Sequence, residues 1–242
     1  MATTGGNRPE YHGLVHHEHR DVSGGWLRPA VFGAMDGLVT NVSLIAGVGG
    51  GGGSQHAILL TGLAGLAAGA FSMAAGEYVS VSSQNELVQS EVDKERHELT
   101  HNAAAEQIEL VGMLRRQGMS AATARQAAAE LSAHPDQALA VHAIEELGVD
   151  PSELPSPYVA AAASLVAFAI GAIIPLLPYA LGFDALWVAL TLAAVASIVG
   201  GGLVARLTAR PFWRGALRQL VLGGLAAGLT YLIGLAVGGM AG

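Results

Sequence analysis

Five long apolar runs limit what this chain of 242 residues can fold into. They cover residues 28–50, 57–80, 157–180, 183–205 and 212–240. Each is close to the ~20 residues that a helix needs to cross the hydrocarbon core of a bilayer. Only 13% of the residues are charged, well below the share in soluble domains, and 52% are hydrophobic. We therefore predict an all-α, polytopic membrane protein with five transmembrane helices.

A polar segment, residues 82–156, separates the second and third runs. Residues 77–111 contain no Gly or Pro, so the second transmembrane helix is expected to continue as a stalk, or to break near Asn102. The residues expected to begin or end further helices are Ser120, Pro135 and Gly148. We predict a small helical domain inserted between spans two and three.

The basic residues predict an orientation. All 12 Lys and Arg fall at or before the start of the first run, in the polar segment, or around the junction of runs four and five. The loops at 49–56 and 178–184 have none, so the N-terminus and the polar segment are expected in the cytosol and the C-terminus outside. No secretory signal is evident in the first 25 residues. The predicted units are a polar, His-rich tail (1–27), spans one and two (28–81), the polar segment (82–156) and spans three to five (157–242).

Two acidic residues lie in apolar runs. Asp36 is in the first run, and Glu77 is near the inner end of the second, with Met73 one turn earlier on the same face. An unpaired carboxylate at mid-bilayer costs ~2.5–3.5 kcal/mol, and no Lys or Arg lies deep in these two runs. Intramembrane acids indicate transport. The alternatives are that Asp36 bonds Asn41, Ser43 or backbone, and that Glu77 faces water at the interface.

Small residues and prolines predict how the helices pack. Four Gly-x-x-x-Gly steps permit close helix contacts and often mark dimer faces. They are Gly33–Gly37, Gly65–Gly69, Gly224–Gly228 and Gly234–Gly238. Pro175 and Pro178 are expected to kink or end span three near the outer face.

The polar segment is strongly acidic. Residues 86–153 hold 13 Asp and Glu against five Lys and Arg, which suits cations and argues against nucleic acid. Residues one helical turn apart include Glu91, Glu95 and Glu98, then Glu106 and Glu109, His97 and His101, and His142 and Glu146. Clustered like charges destabilise a helix unless something neutralises them. Carboxylates with imidazole suit Mn²⁺, Fe²⁺ or Zn²⁺ more than Cu(I). A solvated helix face is the alternative, and the HHEH motif at 16–19 could bind metal incidentally.

Several stretches resemble one known family. AVFGAMDGLVTNVSLIAGV and AGAFSMAAGEYVSVSSQNE resemble the first two spans of the vacuolar iron transporter family. ERHEL followed by EQIEL resembles its acidic cytosolic helix, and PSPYVAAAASLVAFAIGAIIPLLPY resembles its third span. The resemblance covers most of residues 29–180, while spans four and five match only in general character.

The resemblance implies a homodimer that carries Fe²⁺ or Mn²⁺ out of the cytosol in exchange for protons. It implies a path at the dimer interface lined by Asp36 and Met73, to which the sequence adds Glu77. The cytosolic metal ligands it implies are Glu95, Glu98, Glu106, Glu109 and Glu146. A family Met becomes His142 here, which leaves the metal preference open, with Zn²⁺ and Co²⁺ as further candidates. No permanently bound cofactor is expected.

Other functions stay open. Glu98-x-x-His101 is half of a di-iron signature, so a ferroxidase or storage protein is an alternative, although such bundles need two of these motifs. A metal sensor that does not transport is another, but it would not need Asp36. No Ser/His/Asp set, phosphate loop or nucleotide motif is evident, and no enzyme activity is predicted. The Ala- and Gly-rich composition without Cys favours a bacterial plasma membrane over a vacuolar one.

Overall fold

The computed structural model describes residues 25–241, so the HHEH motif and the rest of residues 1–24 lie outside the described residues. All regular structure in the described part is helical. In chain order the helices are α1 (Leu27–Gly50), α2 (Gln55–His101), α3 (Ala103–Arg116), α4 (Ala121–Ser132), α5 (Pro135–His142), α6 (Pro157–Ile173), α7 (Leu177–Ala180), α8 (Leu186–Leu207) and α9 (Phe212–Ala241). Five stretches, α1, α2, α6 with α7, α8 and α9, are long and apolar enough to cross a membrane, with mean hydropathies of 1.5 to 2.3. The prediction of an all-α chain with five spans is confirmed.

The first span is the centre of the bundle, because α1 packs against α2, α6, α8 and α9. Its contact with α6 depends on a glycine, since a Cβ on Gly37 would lie 2.2 Å from the carbonyl oxygen of Phe168. One turn further on, the side-chain amide of Asn41 donates a hydrogen bond to the carbonyl oxygen of Ala172 on α6. Asp36 is therefore on a helix that its neighbours hold in place.

Three of the four Gly-x-x-x-Gly steps make close contacts with other helices of the same chain. Gly33–Gly37 faces the backbone of α6, and Gly65–Gly69 faces Leu44 and Phe168. Gly234–Gly238 faces Gly47 of α1 and Gly51, which directly follows that helix. Only at Gly224–Gly228 does a Cβ on either glycine meet no described atom within 4 Å. The spacing correctly indicates close helix packing, but three of the steps make contacts within the subunit.

The second span continues far beyond its apolar part. Helix α2 has 47 residues, which at 1.5 Å per residue is about 70 Å. Asn102 ends it with φ −124° and ψ 30°, and its backbone N–H donates to the carbonyl oxygen of Glu98 at 2.7 Å. The predicted stalk and the break near Asn102 are both present.

The helices of the polar segment begin and end where the sequence indicates. The hydroxyl of Ser120 accepts a hydrogen bond from the Thr123 N–H at 3.2 Å, which caps α4. Pro135 opens α5, which passes into a π-helical turn (Ala143–Leu147) that Gly148 closes with φ 67°. The residues buried between α3 and α4 are Leu110, Met113, Leu114, Ala124 and Ala128.

The α-helix of the third span is interrupted near its C-terminal end, as the two prolines predict. A 3₁₀ turn (Ile174–Leu176) contains Pro175, and the short α7 follows with Pro178 in its first turn. The side-chain amide of Gln55 donates to the carbonyl oxygen of Tyr179 at 3.1 Å, which ties the start of α2 to α7.

Candidate metal site

Three helices of the polar region bring one histidine and three acids together. Glu95 comes from α2, Glu106 from the first turn of α3, and His142 from the end of α5, with Glu146 on the following π turn. The break at Asn102 makes this possible, because it lets α3 leave the line of α2. Glu106 also starts the buried face of α3, since Leu110 follows at i+4 and is fully buried.

The imidazole of His142 is the centre of this group. Its Nδ1 lies 2.9 Å from Glu95 Oε1, 3.4 Å from Glu146 Oε1 and 3.7 Å from Glu106 Oε2. The His142 side chain is 0% exposed and that of Glu95 13%, whereas that of Glu146 is 31% exposed. Ligand atoms of Glu95, His142 and Glu146 all lie within 4.8 Å of one another, which is close enough to share one ion. Glu146 leaves the group open to solvent on one side.

Several atoms of the group lack hydrogen bonds. Among the described residues, neither ring nitrogen of His142 has a hydrogen-bond partner, and Glu95 Oε1 has none. The 2.9 Å contact between Glu95 and His142 is short, but its geometry is not that of a hydrogen bond. A buried polar group without a partner costs about 1–3 kcal/mol. Imidazole and carboxylate donors fit Mn²⁺, Fe²⁺ or Zn²⁺, so these unpaired atoms suit a divalent ion as substrate.

The carboxylates of the group raise one another's pKa. The pKa of Glu95 is raised from 4.5 to about 7, with burial as the largest cause; repulsion from Glu146, Glu106 and Glu109 contributes to the rise, and His142 partly opposes it. Burial also raises the pKa of Glu106, again with a contribution from Glu109. A bound cation would reverse these effects, because it favours the ionised form of each carboxylate.

Glu98 and Glu109 border the group without joining its closest atoms. Glu98 accepts a hydrogen bond from the side-chain amide of Asn102, so it takes part in the break between α2 and α3. Glu109 is exposed on α3. Both are near enough for their charges to raise the pKa of Glu106. Of the six predicted metal ligands, the structure places Glu95, Glu106, His142 and Glu146 together and Glu98 and Glu109 beside them.

Three other residues of the predicted acidic and histidine pattern make contacts outside the group around His142. Glu91 pairs with Lys94 at 2.6 Å, although it lies one turn before Glu95. His97 and His101 are exposed, and their rings stack with centroids 3.9 Å apart. The His101 Nδ1 lies 2.9 Å from the carbonyl oxygen of His97, away from the group around His142.

The predicted membrane path runs along α1 and α2. Asp36 is half-buried on α1, and among the described residues it forms no ion pair. Met73 is half-buried on α2, where it packs against the cluster that contains Phe168. The backbone of Phe168 also contacts Gly37, the neighbour of Asp36. Met73 and Gly37, the residue that follows Asp36, therefore share Phe168 as a common neighbour.

The hydrogen-bond partner of Asp36 is not one of the two side chains considered from the sequence. Thr40 Oγ1 donates to Asp36 Oδ1 over 3.5 Å, a long bond one helical turn away. Asn41 instead bonds Ala172, and Ser43 Oγ has no partner among the described residues. The i, i+4 spacing of Asp36 and Thr40 was the signal for this bond. Glu77 is half-buried, between interior and surface.

Comparison with known proteins finds relatives of one family. The model of the VIT family matches residues 27–235, which is most of the chain. "Vacuolar iron transporter" of Acanthamoeba castellanii is 36% identical over 77% of this chain and 66% of its own length. "Vacuolar iron transporter homolog 1" of Oryza sativa subsp. japonica is 36% identical over 95% of this chain and 80% of its own length. "Vacuolar iron transporter homolog 3" of Arabidopsis thaliana is 36% identical over 85% and 80%.

These matches decide the class of the protein. The chain spans about two thirds of the length of the amoebal relative and four fifths of the two plant relatives. The VIT family is a family of transporters, in agreement with the prediction that the chain is not an enzyme. On the family match and these identities, the chain belongs to the VIT family.

Proposed function

We propose that this protein carries a divalent metal, Fe²⁺ or Mn²⁺, out of the cytosol in exchange for protons, with Zn²⁺ and Co²⁺ as further candidate substrates. The observation that carries the proposal is the buried His142, which has no hydrogen-bond partner among residues 25–241 and lies within 4 Å of three carboxylates. Glu95, one of these carboxylates, is on the same continuous helix as the second span. The names of the relatives support iron as the substrate.

Residues 82–156 form the proposed cytosolic gathering domain. Glu95, Glu106, His142 and Glu146 would hold the ion, and Glu98 and Glu109 would add negative charge that attracts it. The raised pKa of Glu95 means that protons compete with metal near neutral pH. Binding is then readily reversible, as a delivery site requires.

Asp36, Met73 and Glu77 form the proposed path through the membrane. A dehydrated cation needs negative oxygen at this depth, and Asp36 supplies it on the central helix α1. When no metal is present, a proton on Asp36 removes the unpaired charge, so metal and proton exclude one another. Met73 adds a soft sulfur contact that favours Fe²⁺ over Mg²⁺ or Ca²⁺.

The proposed assembly is a homodimer with this path at its interface. In the single subunit, 17% of the apolar window of α2 is buried, against 44% for α1 and 6% for α9, and α2 is the one of these two exposed helices that carries Met73. Phe71, two residues before Met73, is 71% exposed. A second subunit over this face would enclose Met73 and complete the path.

The proposed orientation places residues 82–156 in the cytosol and the C-terminus outside, on the distribution of basic residues. The three relatives described above are eukaryotic and their names say vacuolar, so they give no support to the bacterial plasma membrane that composition favours.

The test is uptake of Mn²⁺, or of Fe²⁺ under anaerobic conditions, into proteoliposomes with an acidic lumen. We expect uptake that follows the pH gradient, is lost in Asp36→Asn and persists in Asp184→Asn. Asp184 is a matched control because it is exposed in the loop between α7 and α8. Equal uptake by Asp36→Asn and the unmodified protein would refute a path through Asp36.

The same experiment separates the alternatives. Metal that binds residues 82–156 without any uptake would favour a sensor or storage protein. Oxygen consumption on adding Fe²⁺ would favour a ferroxidase. Within the described part of the chain, His101 does not join the group around His142, which speaks against the half di-iron signature at Glu98-x-x-His101.

A further inference from the structure

The turn between α8 and α9 presents an unusual concentration of positive charge. Its four exposed arginines, which we name the arginine array, are Arg206, Arg210, Arg214 and Arg218. No Asp or Glu occurs anywhere in residues 185–242, so the two helices supply no counter-charge. None of the four forms an ion pair with another described residue. The metal path proposed above uses none of them.

Aromatic rings hold two of these cations in place. The guanidinium of Arg206 lies over the ring of Phe212, 5.5 Å from its centroid. The guanidinium of Arg214 lies over the ring of Trp213 at 5.3 Å. Such contacts fix the planes of the guanidinium groups without neutralising their charge. Their N–H groups therefore stay available to an anion.

The hairpin that carries the array is tightly packed. A Cβ on Gly215 would lie 2.0 Å from the carbonyl oxygen of Gly201, so α8 and α9 touch through their backbones. Gly202 lies directly against the ring of Phe212, where a Cβ would be 2.1 Å from the nearest ring atom. The arginines are thus displayed on a fixed frame, which reduces the entropy cost of binding.

The ends of the apolar parts of α8 and α9 place the array at the expected level of the membrane surface. It starts in the last turn of α8 and extends into the first two turns of α9, and both helices are apolar beyond it. Trp213 is 60% exposed and Leu217 54%, next to the cations. Exposed Trp is typical of the boundary between headgroups and acyl chains. Two of the five spans, α6 with α7 and then α8, lie between the polar segment and the array. In the proposed topology the array is therefore on the same side of the membrane as α3–α5.

We propose that the arginine array binds the headgroup phosphates of anionic phospholipids in the leaflet on that side. Arginine forks match phosphate oxygens in pairs, and the exposed Trp213 and Leu217 would contact the acyl chains of the same lipid. This apolar contact is what favours a lipid over a free phosphate ion. Each cation close to an anionic surface contributes a preference on the order of fivefold.

The test is fluorescence quenching by lipids with brominated acyl chains. The chain has three Trp, so Trp26→Phe with Trp187→Phe leaves Trp213 as the reporter beside the array. The protein is reconstituted in mixtures of phosphatidylcholine and phosphatidylglycerol, with one or the other brominated. The two quenching curves give the binding constant of the anionic lipid relative to the zwitterionic one at Trp213.

We expect the relative binding constant to exceed one and to fall at least about fivefold in Arg210→Gln with Arg218→Gln. These two substitutions leave both arginine–ring contacts in place. The matched control is Arg115→Gln with Arg116→Gln, an equal loss of charge on exposed residues of α3, and we expect no change there. Arg210→Lys with Arg218→Lys keeps the charge that governs insertion and is expected to retain part of the preference.

Three results would overturn the proposal. They are a relative binding constant of one in the unmodified array, an unchanged constant in the Arg210→Gln, Arg218→Gln protein, and an equal fall in the α3 control. An array substitution that changed only the oligomeric state, with lipid preference intact, would also overturn it, because it would show that the array contacts a second copy of the chain and not lipid.

Discussion

Replacing His142 by leucine tests whether this residue is a metal ligand or only a packing residue. The His142 side chain is 0% exposed, and leucine fills a similar volume without polar atoms. The substitution removes two ring nitrogens that have no hydrogen bond among the described residues. We therefore expect the free energy of unfolding of the metal-free protein to stay within about 1 kcal/mol of its original value.

The metal-dependent part of the stability should behave differently. Loss of an outer-shell partner already weakens metal binding by 10–100-fold, so loss of a direct ligand should raise the Kd by about 100-fold or more. At a free metal concentration of 100 Kd, the ion stabilises the original protein by about 2.7 kcal/mol. At the same concentration a 100-fold weaker site gives about 0.4 kcal/mol.

The assay is unfolding of the purified protein in detergent at pH 8, with and without Mn²⁺, together with calorimetric titration for the Kd. His134→Leu is the matched control, because His134 is exposed at the start of α5 and should keep the full metal effect. Two results would refute the reasoning. One is an undiminished metal effect in His142→Leu, and the other is a metal-free protein destabilised by several kcal/mol.

Three further predictions concern pH, packing and capping. The pKa of Glu95 is about 7 in the folded chain against 4.5 for the ordinary carboxyl, so its contribution to metal-free stability is complete below pH 4.5 and is lost as the pH rises through 7. Metal affinity should rise over the same upper range, and Glu95→Gln should flatten both profiles, measured by unfolding and calorimetry. Gly37→Ala places a Cβ 2.2 Å from the Phe168 carbonyl oxygen and should lower the melting temperature, whereas Gly76→Ala, with nothing within 4 Å, should not. Ser120→Ala removes the α4 cap and should cost about 1 kcal/mol of unfolding free energy, read from the same melts.

The elements of this fold follow from local sequence signals. Apolar length predicts the five spans, because a span must satisfy its own backbone within lipid. Ser120, Pro135 and Gly148 each act within one helical turn, so their positions fix where α4 and α5 begin and where the π turn ends. The lack of Gly and Pro after Glu77 likewise predicts the continuous α2.

The contacts between elements were harder to predict. Helical spacing places Glu91, Glu95 and Glu98 on one face, yet Glu91 pairs with Lys94 and Glu98 bonds Asn102. Residue spacing predicts which side chains share a face of one helix, but it does not predict how helices are placed relative to one another. The group around His142 depends on where α3 and α5 lie after the break at Asn102. The Gly-x-x-x-Gly steps have the same limit, since close approach looks alike whether the second helix belongs to the same chain or to another.

The continuous helix α2 has a mechanical consequence. Met73 and Glu95 are 22 positions apart on it, which corresponds to about 33 Å along a rod without a joint. If this rod tilts as a rigid body by about 5° around Glu95, its length is unchanged and the helix at Met73 moves sideways by about 3 Å. In the proposed function, ion capture around Glu95 and the width of the path beside Met73 are therefore geometrically linked, with α2 acting as a lever arm.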